Sequence, residues 1–113
     1  MRIAISACAD GWKERVDDRF GRAEGFFVCD TDTNETTYID NHENVDVAHG
    51  AGTSAAQSIV NAGVRVVITG RVGPKAGSVL RAAGVRVMTG DDLTTVEEVY
   101  QRFRDGELYE LSV

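Results

Sequence analysis

The chain has 113 residues, 42% of them apolar, with 12 Lys/Arg against 18 Asp/Glu and a formal charge of −6. These values describe one globular domain spanning residues 1–113, and no apolar run reaches the roughly 18 residues needed to cross a bilayer. The acidic excess sits in residues 1–49, with 5 cations against 11 anions, while residues 50–113 balance at 7 and 7; with no basic stripe to neutralise phosphates, nucleic acid is a poor partner.

Met1-Arg2-Ile3-Ala4-Ile5 opens the chain. It turns polar too quickly for a signal peptide, so a cytoplasmic location is expected, with Cys8 and Cys29 as reduced thiols. Residues 2–7 read as a first strand and residues 8–24, polar and carrying Gly11 and Gly21, as a long loop. Gly25–Asp30, the turn Thr31–Asn34 and Glu35–Asp40 read as a β-hairpin, followed by a polar loop ending at His49-Gly50. Ala51, Ala55, Ile59 and Ala62 share one helical face, with Thr53 or Ser54 as the expected cap and Gly63 as the stop. Val64–Thr69 is a short apolar strand. Pro74 suits the first turn of a second helix, whose inner face is Ala76, Val79, Leu80 and Ala83 and which Gly84 ends. Val85–Met88 is the next strand. Thr94-Thr95-Val96-Glu97 matches a capping box with Thr94 as the cap, and Val96, Val99, Tyr100 and Phe103 form the stripe of a third helix closed by Gly106.

Asn61–Val66 resembles Ala82–Val87, 21 residues later, each copy being a helix end, a glycine and a strand. Two such units in a row imply a parallel βαβ crossover. The expected fold is α/β, a mixed sheet of about five strands with helices on both faces.

In such a sheet the helices that feed parallel strands begin at the strands' carboxyl edge, where open α/β sheets bind ligands. His49-Gly50-Ala51-Gly52-Thr53-Ser54, Thr69-Gly70-Arg71-Val72-Gly73-Pro74-Lys75 and Thr89-Gly90 all fall at that edge, and Cys8 joins them if the first strand is parallel. Glycines let backbone approach a ligand, and helix N-termini offer unpaired N–H groups and partial positive charge. With Arg71 and Lys75 the edge reads as an anion cradle. The same glycines also serve as plain turn residues, and neither a P-loop nor a dinucleotide fingerprint is present.

Cys29, inside a strand, reads as a core residue, and His42 as a solvated one. Cys8 and His49 are candidate ligands as well as ordinary loop residues, and two ligands do not close a zinc site. Asp10, Asp17, Asp18 and Asp30 read as a solvated acidic face. No catalytic constellation follows from spacing, so an enzyme is not expected. A phosphate- or nucleotide-binding module using the same N–H groups is the alternative; a metal-dependent nuclease would rest on fold analogy alone.

The landmarks Met1-Arg2-Ile3-Ala4-Ile5, Arg19-Phe20-Gly21-Arg22-Ala23, Ala48-His49-Gly50-Ala51-Gly52, Val67-Ile68-Thr69-Gly70-Arg71-Val72-Gly73-Pro74-Lys75-Ala76 and Ala83-Gly84-Val85-Arg86-Val87 are also those of a family. In their order and spacing the chain resembles the dinitrogenase iron–molybdenum cofactor biosynthesis domains, NifX- and NafY-like and including the C-terminal part of NifB. The resemblance implies a ribonuclease-H-like three-layer fold and binding of iron–molybdenum cofactor or its precursors. Stand-alone members include the orange protein of sulfate reducers, with a molybdenum–copper sulfide cluster, and a cofactor-assembly or acceptor protein is an implied partner. Carried onto this chain, it points to His49, Gly50, Gly52, Arg71, Gly73 and Lys75, with Arg19, Arg22 and Cys8 further out; Thr53 joins the candidate cofactor-binding residues from its place at the first helix start. Cys8 and His49 are the metal-ligand candidates. Many members have His where this chain has Arg19, which favours charge pairing with an anionic cluster over metal ligation there.

Overall fold

The computed structural model describes residues 1–45 and 50–113; the expected site residue His49 lies outside the described residues. Six strands form one sheet in the order β3-β2-β1-β4-β5-β6, with β1 at Arg2–Ala7, β2 at Gly25–Asp30, β3 at Thr36–Asp40, β4 at Val64–Ile68, β5 at Arg86–Thr89 and β6 at Tyr109–Glu110. The central strands β1, β4 and β5 run parallel, β2 and β3 extend the sheet antiparallel on one side, and β6 does so on the other. The helices are α1 (Ala51–Asn61), α2 (Pro74–Ala82) and α3 (Val96–Arg104).

The faces of the sheet follow from the period of two along each strand. Ile3, Ile5, Val66, Ile68 and Met88 pack with Val96, Val99 and Tyr100 of α3. Ala4, Val28, Val67 and Val87 pack with Ala55, Ala56 and Ile59 of α1 and Ala76 and Leu80 of α2. Helices therefore cover both faces, and β1 is buried at every position from Ile3 to Ala7. A strand covered on both sides reads as a near-continuous apolar run, which accounts for its weak alternation in sequence. Each fully buried Ile or Leu contributes about 1.5–3 kcal/mol of transfer free energy, so the two clusters supply the main drive to this arrangement.

Several boundaries differ from expectation. The sheet has six strands rather than about five. The added β6 is two exposed residues, too short for a hydrophobic pattern, and is held by pairing Thr89 with Tyr109 and Met88 with Glu110. Neither Thr53 nor Ser54 caps α1; the N-cap is Gly50 at φ 80, a left-handed position suited to glycine. The cap of α3 is Thr95 rather than Thr94, its side chain accepting from the Glu98 N–H at 3.2 Å. The Thr94 hydroxyl instead meets the Glu98 carboxylate. Both Thr-x-x-Glu frames satisfy a capping box, and the one that buries Val96 and Val99 prevails. The strands after α1 and α2 end and begin one residue from their expected limits.

The stretch 8–24 is pinned across the carboxyl edge of the sheet. Its Cys8 N–H donates to Arg15 O at 3.0 Å, its Val16 N–H to Thr94 O at 2.8 Å, and its Asp17 N–H to Ser6 O at 2.9 Å. Trp12 anchors it on the α3 side, 4.6 Å from the Phe27 ring centroid and 5.4 Å from that of Tyr100.

Candidate anion site at the carboxyl edge of the sheet

Because β1, β4 and β5 are parallel, their carboxyl ends bring Cys8, Gly70 and Gly90 to one edge. α1 and α2, which lead into β4 and β5, begin there too. Gly50, Gly52, Thr53, Gly73, Pro74, Lys75 and Ala76 line one depression of about 680 Å³. The helices meet closely at its floor, since a Cβ on Gly52 would lie 3.2 Å from the Ala76 Cβ. A second, adjoining depression of about 440 Å³ shares Gly50, Gly52 and Gly73 and adds Arg19, Gly21, Arg22 and Arg71. The turns at 50–53 and 70–75 thus face one another.

The two helix ends differ from that of α3 in a way that bears on charge. α3 is capped by the Thr95 hydroxyl and carries Glu97 and Glu98 in its first turn. The caps of α1 and α2 are Gly50 and Gly73, which have no side chain to accept a bond, and neither helix has an acidic residue in its first turn. Among the described residues, neither helix's own first turn supplies a counter-charge to its free first-turn amides, which no helix can satisfy internally, or to the positive end of its dipole. Lys75, exposed, has no acidic partner among the described residues.

The strap carrying Arg19 and the strap carrying Arg71 pair as a short parallel bridge. Phe20 N–H donates to Arg71 O at 3.0 Å and Arg71 N–H to Asp18 O at 2.6 Å. The approach leaves no space for side chains: a Cβ on Gly70 would lie 2.7 Å from the Asp18 Cβ and O, and one on Gly21 would lie 2.7 Å from the Gly52 Cα. Below the bridge, the Ser6 hydroxyl donates to Asp17 O at 2.5 Å and stands 2.7 Å from the Thr69 hydroxyl, tying the strap to β1 and β4. Arg22, which also lines this depression, donates from Nη1 to Asn44 O at 3.4 Å and to Val45 O at 3.2 Å.

Both strap arginines have acidic neighbours that sequence reading did not assign to the site. The Asp17 carboxylate, only 10% exposed, accepts from the Arg19 N–H at 2.9 Å and from its Nε at 3.3 Å. This bond raises the Arg19 guanidinium further above its already high range. Asp18 lies 3.6 Å from Arg71 Nη2. The spacing Asp17-x-Arg19 is a local signal, since an aspartate accepting from the N–H two residues on is an Asx-turn. Asp30 lies at the other end of the sheet beside the Met1 amine, so the aspartates do not form one acidic face.

Cys8 is on the same edge but in a neighbouring cleft of about 670 Å³, with Arg15, Asp17, Asp18, Thr89 and Tyr109 on its walls. Cys8 is exposed, and partial burial of the thiol first, then the Asp17 carboxylate, push it above its ordinary value. Among the described residues no group of three His, Cys, Asp or Glu is placed to hold a metal ion. Cys29 is buried in the core as expected. His42 is exposed, with its Nδ1 2.7 Å from the Glu24 carboxylate. No helix among the described residues is long and apolar enough to cross a membrane.

Three comparisons place this architecture among known proteins. The apo form of the orange protein from Desulfovibrio gigas superposes with a TM-score of 0.91 at 44% identity, covering 98% of this chain and 92% of that one. A Thermotoga protein described as a NifB candidate superposes at 0.87 with 37% identity, over 99% of this chain and 94% of the other. An uncharacterized protein of Methanocaldococcus jannaschii is 33% identical over 96 residues, which are 83% of this chain and 80% of that protein. The family model described as dinitrogenase iron-molybdenum cofactor matches residues 1–106, and the chain belongs to that family.

Proposed function

We propose that this chain is a single-domain, cytoplasmic carrier or scaffold for an anionic metal–sulfur cofactor or cofactor precursor, either an iron–molybdenum cofactor precursor or a molybdenum–copper sulfide cluster. The observation that carries the reading is the facing of two glycine-capped helix starts, both free of acidic residues, across a depression that Arg19 and Arg71 also line. A thiometallate spreads its negative charge over sulfurs that accept hydrogen bonds weakly, so many aligned donors suit it better than a fixed set of hard ligands. Each helix end contributes about 0.3–1 kcal/mol toward a nearby anion, and the exposed guanidiniums add donors and charge that solvent partly screens. Together these support reversible holding, as a carrier that passes its cargo to an acceptor protein requires.

In this reading Gly50, Gly52 and Gly73 provide close backbone approach, Thr53 a hydroxyl at the rim, and Lys75, Arg19 and Arg71 the charge. Arg22 holds the chain just before residues 46–49, where His49 is proposed to complete the site. Cys8 and His49 remain the proposed candidates for direct metal contact, with Cys8 in the adjoining cleft. The strand order 3-2-1-4-5, in which only β2 of those five runs antiparallel, supports a ribonuclease-H-like reading of the fold.

Reconstitution with tetrathiomolybdate and copper, followed by desalting and an absorption spectrum, tests the function. The protein retains a chromophore, and Arg71→Glu weakens retention several-fold. A nucleotide or inorganic phosphate that raises the melting temperature while the thiometallate leaves no chromophore would instead establish the phosphate-binding alternative.

A further inference from the structure

Arg19 and Arg71 border two cavities at once, the cleft on the Cys8 side of the strap and the depression on its other side. Asp17, Asp18 and Asp92 line the cleft and neither depression, and among the described residues no carboxylate lines the depressions at the helix starts. Each arginine therefore borders both an acid-lined cleft, where its guanidinium meets Asp17 or Asp18, and a depression where no described carboxylate lies. The backbone of that bridge is held by the bonds from Phe20 to Arg71 and from Arg71 to Asp18. The side chains are less constrained, Arg19 being 53% and Arg71 73% exposed.

From this arrangement we propose that Asp18, with Asp17 behind it, is a specificity-determining counterweight. It holds the strap arginine on the cleft side until an anion with enough charge draws it across to the helix starts. The inference rests on the carrier reading and adds to it the way the site selects its guest. The Arg71–Asp18 pair is long and solvent-exposed, so it is worth little by itself. A singly charged anion gains about as little from Arg71 as Asp18 does and leaves the arginine shared, whereas a multiply charged thiometallate gains more and draws it across. Asp18 acts only through Arg71 and is a positioning residue, while the more buried Asp17 also shapes the turn through the Arg19 N–H.

The experiment is an absorption titration of the full chain with tetrathiomolybdate and copper, using Asp18→Asn, Arg71→Gln and the double variant, with a melting curve for each to check folding. Asn keeps the shape of Asp18 where Gly70 packs against it. Asp18→Asn tightens uptake about two- to fivefold, and the gain disappears when Arg71 is Gln. Uptake unchanged by Asp18→Asn in a folded protein overturns the counterweight, as does a gain that persists without the Arg71 cation, since Asp18 would then act by bulk charge. If Arg71→Gln itself leaves uptake untouched, the helix-start site fails, a result separable from the other two.

Discussion

Gly21 has no room for a side chain because the first turn of α1 lies against it. The two atoms nearest to a Cβ at this position would be backbone atoms of Gly52, at 2.7 and 2.8 Å, and neither can yield without moving the helix start. Gly21→Ala therefore costs about 1–3 kcal/mol in urea unfolding. Gly73→Ala should change stability by less than about 0.5 kcal/mol, since its Cβ meets nothing within 4 Å and its backbone, φ −67 and ψ 160, is ordinary for any residue. A second residue-scale expectation concerns pH. The Asp30 carboxyl is held below its ordinary value of 3.8, first by the Asp32 N–H and further by the Met1 amine, which its acidic neighbours raise in turn. A lowered folded value means that the carboxylate stabilises the protein above the ordinary carboxylate range and that this contribution fades as pH falls through that value. The amine's contribution is present below its ordinary value of 8.0 and fades as pH rises through the raised one. Melting curves should show Asp30→Asn less stable than the parent at pH 7, the two converging in acid. The places of Gly50 and Gly73 beside helix starts were legible in sequence, although Gly50's part as the cap of α1 was not. Those of Gly21 and Gly70 were not, because the backbone that crowds them comes from elsewhere in the chain.

At the scale of elements, the same hydrogen-bonding signature fits two adjacent frames at the start of α3, and burial decides between them. Thr95→Ala removes the acceptor for the Glu98 N–H and should lower stability by about 1 kcal/mol, with a smaller loss for Thr94→Ala, in paired urea titrations. Helices with a clear apolar stripe were readable to within a residue or two, as were the strands they feed, because Ile59, Leu80 and Val99 can be buried only one way. β6 was not readable, since its two residues are exposed and owe their conformation to the edge of β5. The caps of α1 and α2 carry a further lesson. A hydroxyl near a helix start suggests a cap, but at α1 the chain turns through glycine, whose position offers the amides no side-chain acceptor. In a helix whose only task was stability this would be a defect, and in the proposed reading it is the feature that would receive an anion.

The whole molecule joins an acidic surface to a local site of opposite character, and only the parallel run of β1, β4 and β5 makes that possible. It gathers residues 50–53, 70–75 and 18–22 at one edge, from segments up to about fifty residues apart in sequence. Crossover logic predicted the first two of these meeting. The third, carried by a stretch that reads as featureless loop, depends on tertiary bonds to Ser6, Thr94 and Arg71. The charge balance around the strap was likewise hidden, since Asp18 faces Arg71 only once that stretch is laid across the sheet. The most direct test of the proposed site is an amide NMR titration of the isotopically labelled protein with the tetrathiomolybdate–copper cluster. The largest shifts should fall on the amides of residues 50–53, 70–73, 75 and 76, with smaller ones around Arg19. Shifts confined to the Cys8 cleft or to the β2–β3 hairpin, with the helix starts unmoved, would contradict it.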